Sequence, residues 1–469
     1  METAVKPKPT VTTTAKRSWA DDVSSDEEVD LNLDKNKQPN LTFKKLSEYD
    51  KDDVVTEMKS VGFPYHKYYI NTPDYYFNNL KNFKYTLNPE IVDRVQGIYF
   101  KSPITYIFKE PHLFGVSGQR MTPTLLTMKE DYSTIDVITN LFTEEERIKA
   151  KVYKGKSDAV SPFEFWMTGK SKIIDHIYSE KQSLNSYTLR EAIFELVPEA
   201  TLFKTTVAKS IYDIFKPTHI LDMSSGWGDR LIAAIAYGEA SGIDVKYSGF
   251  DPNSSLKYKY TDIVNKLAPR QENFKVRTEP FESANLKDIK NVDLFFSSPP
   301  YFDFEVYTNE ETQSINNYKT YPDWVVKFLF KSIKNAFSVI VKGGYFVMHI
   351  TDTGNMRNVC ELIKLYIEEY LDGSYIGCIF TQAPGKRRHP MWVFKKDQKV
   401  KTDKIMSKLY PEIYNLIIKV DNEPVVSKPV VKNTTEDPAS KRVKKEEPAV
   451  VLQSKTELPS VAVPGFFNF

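Results

Sequence analysis

The stretch His219-Ile-Leu-Asp222-Met-Ser-Ser-Gly226-Trp-Gly228-Asp-Arg-Leu231 decides the fold. A short apolar run ends in an acid, passes through a turn with glycines at 226 and 228, and opens a helical pattern, GDRLIAAIAYGEA. The same strand–turn–helix alternation continues downstream. VKYSGFD precedes SLKYKYTDIVNKL, FKVRT and VDLFFSSPPY precede DWVVKFLFKSIKNAF, and GGYFVMHI precedes NVCELIKLYIEEYL; YIGCIFT and MWVFKK close the series. Strands alternating with helices predict an α/β domain over 201–398, built on a doubly wound, mostly parallel sheet.

Open sheets of this kind hold ligands at the carboxyl ends of their strands. Gly226 and Gly228 would let a ligand reach backbone amides that a Cβ would block. The motif stops short of G-x-G-x-x-G because position 231 is Leu. Trp227 and Asp229 also disfavour a pyrophosphate at this helix start, so the expected ligand is less anionic than a dinucleotide. The next strand ends Phe250-Asp251-Pro252. An acid there suits ribose hydroxyls, with a plain Asp-Pro turn as the alternative.

The sharpest signal is Asp293-Leu-Phe-Phe-Ser297-Ser298-Pro299-Pro300-Tyr301. Two consecutive prolines fix φ and remove two donors. Their carbonyls and the Ser298 hydroxyl can then face a cleft as acceptors, with Tyr301 beside them as a stacking face. That combination suits a planar ring carrying an exocyclic amine. Elsewhere S-P-P-Y is an ordinary turn; its place after an apolar strand favours a site.

DMSSGWGDR, FDP and SSPPY, in that order, resemble the class I S-adenosylmethionine-dependent methyltransferases, nearest the nucleic-acid amino-methyltransferases that modify adenine N6 or cytosine N4. The resemblance spans 201–398 and implies a seven-stranded methyltransferase sheet with S-adenosyl-L-methionine as cofactor. It assigns Ser298, Pro299, Pro300 and Tyr301 to catalysis. It assigns Phe203, Asp222, Ser224, Gly226, Gly228, Asp251 and Ser297 to the cofactor, Phe203 from a segment that closes over it. Val341-Lys-Gly343-Gly344-Tyr-Phe-Val matches the turn into the fifth strand. The chain departs from the pattern at Met223-Ser-Ser and at Trp227. Serine at 298 is commoner among cytosine N4 than adenine N6 enzymes, so the base stays open. Segment 201–398 has no room for a separate target-recognition domain, so recognition is expected from 46–200 or from partners.

Around this domain lie an acidic tail (1–45), a mainly helical accessory module (46–200), a terminal helix (399–420) and a second tail (421–469). Both tails are too poor in apolar residues to fold alone. The aromatic run 64–85 reads as core more than as a nucleic-acid platform, and some strand is expected near 97–108. Segment 386–404 carries eight Lys/Arg against two Asp. Lys386, Arg387 and Arg388, before the last strand, are candidate phosphate contacts to DNA or RNA, a solvated basic face being the alternative. Lys441–Lys445 resembles a nuclear-import signal, and Phe466-Phe467 a degenerate sliding-clamp box.

The chain has 469 residues, 41% of them apolar and 13% aromatic, enough to bury a large core. Sixty-four basic against 62 acidic residues leave a net charge of +2, so only local clusters inform about partners. Two cysteines and six scattered histidines exclude a disulfide framework and give no metal-ligand pattern. Cys360 and Cys378 read as core; His349, at a strand end, reads as core with a place lining the cleft as the alternative. No apolar run reaches the roughly 18 residues of a membrane span, and the start lacks an apolar signal core. The expected location is intracellular, nuclear in a eukaryotic cell and otherwise cytoplasmic. The functional expectation is methyl transfer to a nucleobase amine. The alternatives are a protein glutamine or small-molecule N-methyltransferase, and a scaffold that keeps the fold.

Overall fold

The computed structural model describes residues 38–85, 87–91, 124–129, 134–153, 159–382, 388–397 and 404–422. Lys386, Arg387, Lys441–Lys445, Phe466, Phe467, the acidic run before residue 38 and the strand expected near 97–108 lie outside the described residues.

One sheet organises the chain. Its strands are β1 (Leu87–Ile91), β2 (Thr124–Lys129), β3 (His219–Asp222), β4 (Lys246–Phe250), β5 (Phe274–Arg277), β6 (Val292–Ser297), β7 (Ile340–His349), β8 (Gly373–Gln382) and β9 (His389–Lys396). Their spatial order is β1-β2-β8-β9-β7-β6-β3-β4-β5. Strands β3 to β7 are parallel, and β9 lies antiparallel between β7 and β8. From β3 the chain winds outward through β4 and β5, then crosses to β6 and winds the other way. The reversal places a crevice at the carboxyl ends of β3 and β6.

The inner strands are near-continuous apolar runs because helices cover both faces. Side chains alternate between two cores as the pleat requires. Ile220, Leu294, Phe296 and Val347 face a layer containing α1 (Thr205–Phe215), α2 (Asp229–Ser241) and α3 (Lys257–Leu267). Leu221, Phe295, Phe346 and Met348 face α4 (Lys331–Val339), α5 (Val359–Tyr370) and α6 (Pro411–Asn422). Cys360 and Cys378 are buried in this second core. Pro411 opens α6 at the first turn, where its missing N–H costs nothing.

The N-terminal segment is less separate than its helical patterning implied. Strands β1 and β2 extend the sheet, with β2 pairing parallel to β8 from Ile379↔Leu126 to Gln382↔Lys129. Without β2, β8 would be a bare edge, the hazard such sheets cover. The helices of this segment pack a third core around Leu46, Trp166, Ile173, Ile177, Leu189 and Ile193. Tyr76, Phe77 and Leu80 of the aromatic run are buried, and Tyr75 is exposed.

A buried ionic lattice holds the N-terminal segment together. Glu199 accepts two bonds from the Arg190 guanidinium (2.7 and 2.6 Å) and one from Arg147. Glu144 accepts from Arg190 Nε (2.9 Å), from the His66 backbone N–H (2.8 Å) and pairs with the His66 ring. Burial pushes the Glu144 carboxyl up, but His66 and the two guanidiniums outweigh it and hold it at about 2.

Candidate active site

The cleft at the switch point has a volume of about 440 Å³. Its floor is the turn after β3. Gly226 (φ 56°) and Gly228 (φ 95°) both take left-handed backbone, open to glycine at little cost. A Cβ on Gly228 would stand 2.6 Å from the Ile263 side chain, so this glycine serves the packing of α2 against α3. Gly226, Ser224 and Trp227 line the cleft; Gly228 is not among the lining residues.

Asp222 does not line the cleft either. It is fully buried, and its carboxylate accepts from Ser297 Oγ (2.7 Å), Tyr247 Oη (2.6 Å), Arg230 Nε (2.8 Å) and the Ser224 N–H (3.2 Å). With donors from four residues it is a hub that shapes the turn. Ser297, also fully buried, belongs to that hub. Asp222, Ser297 and Gly228, which the resemblance assigns to the cofactor, stand behind the cleft lining: the first two bond to each other and Gly228 packs against Ile263.

Asp251, at the tip of β4, does line the cleft. One oxygen accepts from the Gly226 N–H (2.8 Å) and the other from the Asn253 N–H (3.0 Å). Each oxygen keeps a further lone pair. Burial pushes this carboxyl up to about 6 against those two bonds. Phe281 and Glu282, just past β5, continue the same wall, and Glu282 accepts from Tyr318 Oη (3.2 Å). Sequence reading missed both; their position just after the third parallel strand was the available signal.

On the other side of the switch point, Ser298, Pro299, Pro300 and Tyr301 all line the cleft at the tip of β6. The Ser298 carbonyl accepts from Ser224 Oγ (2.8 Å), which ties the β3 and β6 turns together. Tyr301 is partly buried against the second core, and its hydroxyl bonds to the Thr351 backbone. Phe302 then takes left-handed backbone (φ 40°), strained for a residue with a Cβ. It is held there by contacts with Tyr321 and Trp324. The loop is pinned further by the N-terminal segment: Lys151–Val152 pairs with Glu305–Val306, and the Tyr153 N–H donates to the Phe304 carbonyl (3.1 Å).

His349 takes the alternative place, lining the cleft rather than filling the core. Its Nδ1 lies 3.2 Å from Ser298 Oγ, and its ring meets Phe203 edge-on at 5.2 Å. Burial, with His389 and Arg230 nearby, pushes its pKa down to about 3, so it is neutral at physiological pH. Phe203 lines the cleft with the Arg230 guanidinium 5.3 Å over its ring. Arg388 lines it too, bonded to Gln382 Oε1 at 3.2 Å. Asp229 accepts from Thr139 Oγ1 (2.7 Å), and burial lifts it to about 7. The acidic lining residues Asp229, Asp251, Glu282, Glu305 and Asp352 outnumber the basic ones, Lys204, Arg230 and Arg388. Among the described residues no cluster of His, Cys, Asp and Glu is arranged to hold a metal ion.

No protein-family model and no curated relative matches this sequence. Solved structures give fold-level likenesses. TrmN from Thermus thermophilus aligns at 10% identity and a TM-score of 0.29 over 41% of this chain and 49% of its own, so this chain spans about half of it. A putative class I S-adenosylmethionine-dependent methyltransferase from Listeria monocytogenes aligns at 19% identity and 0.31 over 45% and 67%. A putative rRNA methylase from Clostridium thermocellum aligns at 12% and 0.30 over 43% and 100%. At these scores the likenesses add nothing to what the chain's own strand order and cleft provide.

Proposed function

We propose that this chain is an S-adenosylmethionine-dependent methyltransferase acting on the exocyclic amine of a nucleobase, adenine N6 or cytosine N4, in DNA or RNA. The observation that carries the reading is the meeting of Asp251 and the Ser298–Tyr301 turn in one acid-rich cleft at the switch point. The residues fit the cofactor. Asp251 keeps lone pairs for ribose hydroxyls, and the carboxylates of the lining suit a sulfonium and an ammonium group. When bound, S-adenosylmethionine supplies an electrophilic methyl group.

The protein's part is largely positioning, since a fixed near-attack geometry removes much of the barrier. Ser298 is the pivot. Neutral His349 shares a 3.2 Å hydrogen bond with the serine hydroxyl through Nδ1; in the tautomer that leaves Nδ1 bare, the hydroxyl donates and turns its own lone pairs toward the cleft. Those lone pairs and the proline carbonyls accept the amine N–H groups, and Tyr301 supplies the stacking face. His349 is too weak a base to take the proton, which leaves to solvent. Arg388, the described residue of the Lys386–Arg388 group, stands at the cleft wall for a phosphate.

The test is transfer of labelled methyl from S-adenosylmethionine to DNA, RNA and protein pools, followed by nucleoside analysis. Label in N6-methyladenine or N4-methylcytosine supports the reading. Label confined to glutamine in protein overturns it.

A further inference from the structure

Gln313 is a buried side chain with half of its amide unexplained. It is 4% exposed and lines the cleft. Its Oε1 accepts from the Thr308 backbone N–H at 2.8 Å. A backbone N–H only donates, so this bond fixes which end of the amide is oxygen. The other end, Nε2, is buried and has no partner. A buried NH2 left without an acceptor costs about 1–3 kcal/mol, and native structures rarely keep one without a reason.

The surroundings locate what it faces. Thr312, one residue earlier, reaches the Pro252 carbonyl (3.4 Å), beside Asp251. Gln313 caps the short helix Ser314–Asn317, whose following residue, Tyr318, donates to Glu282. Gln313, which carries the unpaired donor, and Glu282, with Phe281 next to it in the chain, all line this cleft. A donor and an acceptor beside an aromatic ring form the complement of adenine. Its N6 amine donates, and a neighbouring ring nitrogen, N1 or N7, accepts.

We infer that Gln313 reads a ring nitrogen of the cofactor's adenine, with Glu282 taking the exocyclic amine, and that it is a specificity-determining residue for the cofactor base. The inference rests on the cofactor reading above. Thr308 holds the amide in place before the ligand arrives, so the donor is pre-oriented and the missing bond forms only on binding.

The experiment is calorimetric binding of S-adenosylhomocysteine and its 1-deaza and 7-deaza analogues to the full chain and to Gln313→Met and Gln313→Glu. In the wild type, replacing the nitrogen that is read by C–H should cost about three- to thirtyfold in affinity, the worth of one buried hydrogen bond. Gln313→Met should bind parent and analogues alike. Gln313→Glu keeps the acceptor for Thr308 but turns a carboxylate oxygen on the ring nitrogen, and should bind the parent most weakly. Thermal melts of the free variants establish that they fold. Wild-type discrimination that survives in Gln313→Met, or equal binding of all three ligands by the wild type, overturns the assignment of Gln313 alone. A folded wild type that binds no S-adenosylhomocysteine overturns the cofactor reading and this inference with it.

Discussion

Asp251→Asn probes the charge at the ribose end of the cleft. In the free protein the carboxyl sits at about 6, well above its ordinary 3.8, because burial outweighs the two backbone N–H bonds it accepts. Ribose hydroxyls donating to it would favour the ionised form and pull the pKa back toward 3.8 or lower. The sign follows. Affinity for S-adenosylhomocysteine should be flat above pH 6 and fall as pH drops below it. A return of roughly two pKa units is worth roughly 3 kcal/mol, or about a hundredfold between the ionised and protonated limits. Binding near pH 6 should release part of a proton, visible as a buffer-dependent calorimetric heat. Asp229, at about 7, adds a second release if a cationic group lies beside it. Asp251→Asn separates the two, since it should remove the release near pH 6 and leave the one near pH 7. At pH 8 it should bind about ten- to a hundredfold more weakly, through the loss of charge-assisted acceptance. Unchanged affinity of Asp251→Asn at pH 8, with the proton release intact, would refute the ribose assignment.

Tyr301→Ala should slow methyl transfer about ten- to a hundredfold by removing a stacking face, with S-adenosylhomocysteine affinity nearly intact; Tyr301→Phe, which loses only the bond to Thr351, should be mild. His349→Ala should lower kcat about tenfold with little change in cofactor affinity, through loss of the bond that turns Ser298. His349→Asn, whose amide oxygen can stand in for Nδ1, should recover part of the loss; equal kcat for Ala and wild type would remove His349 from the mechanism. Glu199→Gln should destabilise the fold by about 3–5 kcal/mol in urea titration, because Arg147 and Arg190 lose their shared charge. Glu144, held at about 2 against an ordinary 4.5, contributes stability that is complete above pH 4.5 and lost as pH falls toward 2. That acid-side slope should shrink in Glu144→Gln.

Where a residue's position followed from its place along a strand, the sequence revealed it. The alternation of strands and helices gave the doubly wound sheet, and the strand tips gave Asp251, Gly226 and the Ser298–Tyr301 turn, all of which the fold gathers into one cleft. Where a role depends on which way a side chain turns, pattern could not supply it. Asp222 and Asp251 end adjacent strands in the same way, yet Arg230, Tyr247 and Ser297 enclose one while the other meets the cleft. His349 ends an apolar strand and looked like core, but the β7 register brings it beside Ser298. Gln313 lies in a polar segment with no periodicity. Only the bond from Thr308 distinguishes its buried amide from neighbouring loop residues. Strands β1 and β2 are short, and nothing in their own sequence announces the distant edge they cover.

A cut at residue 200 would fall between Glu199, which holds two arginines, and Phe203, which lines the cleft. The piece beginning there would present β8 as an open edge to any second copy. It would also lose Thr139 from Asp229, Thr143 from the Trp227 carbonyl, and the clasp of residues 151–153 on the loop beyond Tyr301. Folding of the N-terminal segment and occupancy of the cleft are therefore thermodynamically linked. A ligand that tightens the cleft raises the melting temperature of helices that never touch it. By reciprocity, whatever grips those helices shifts affinity in the cleft by the same factor.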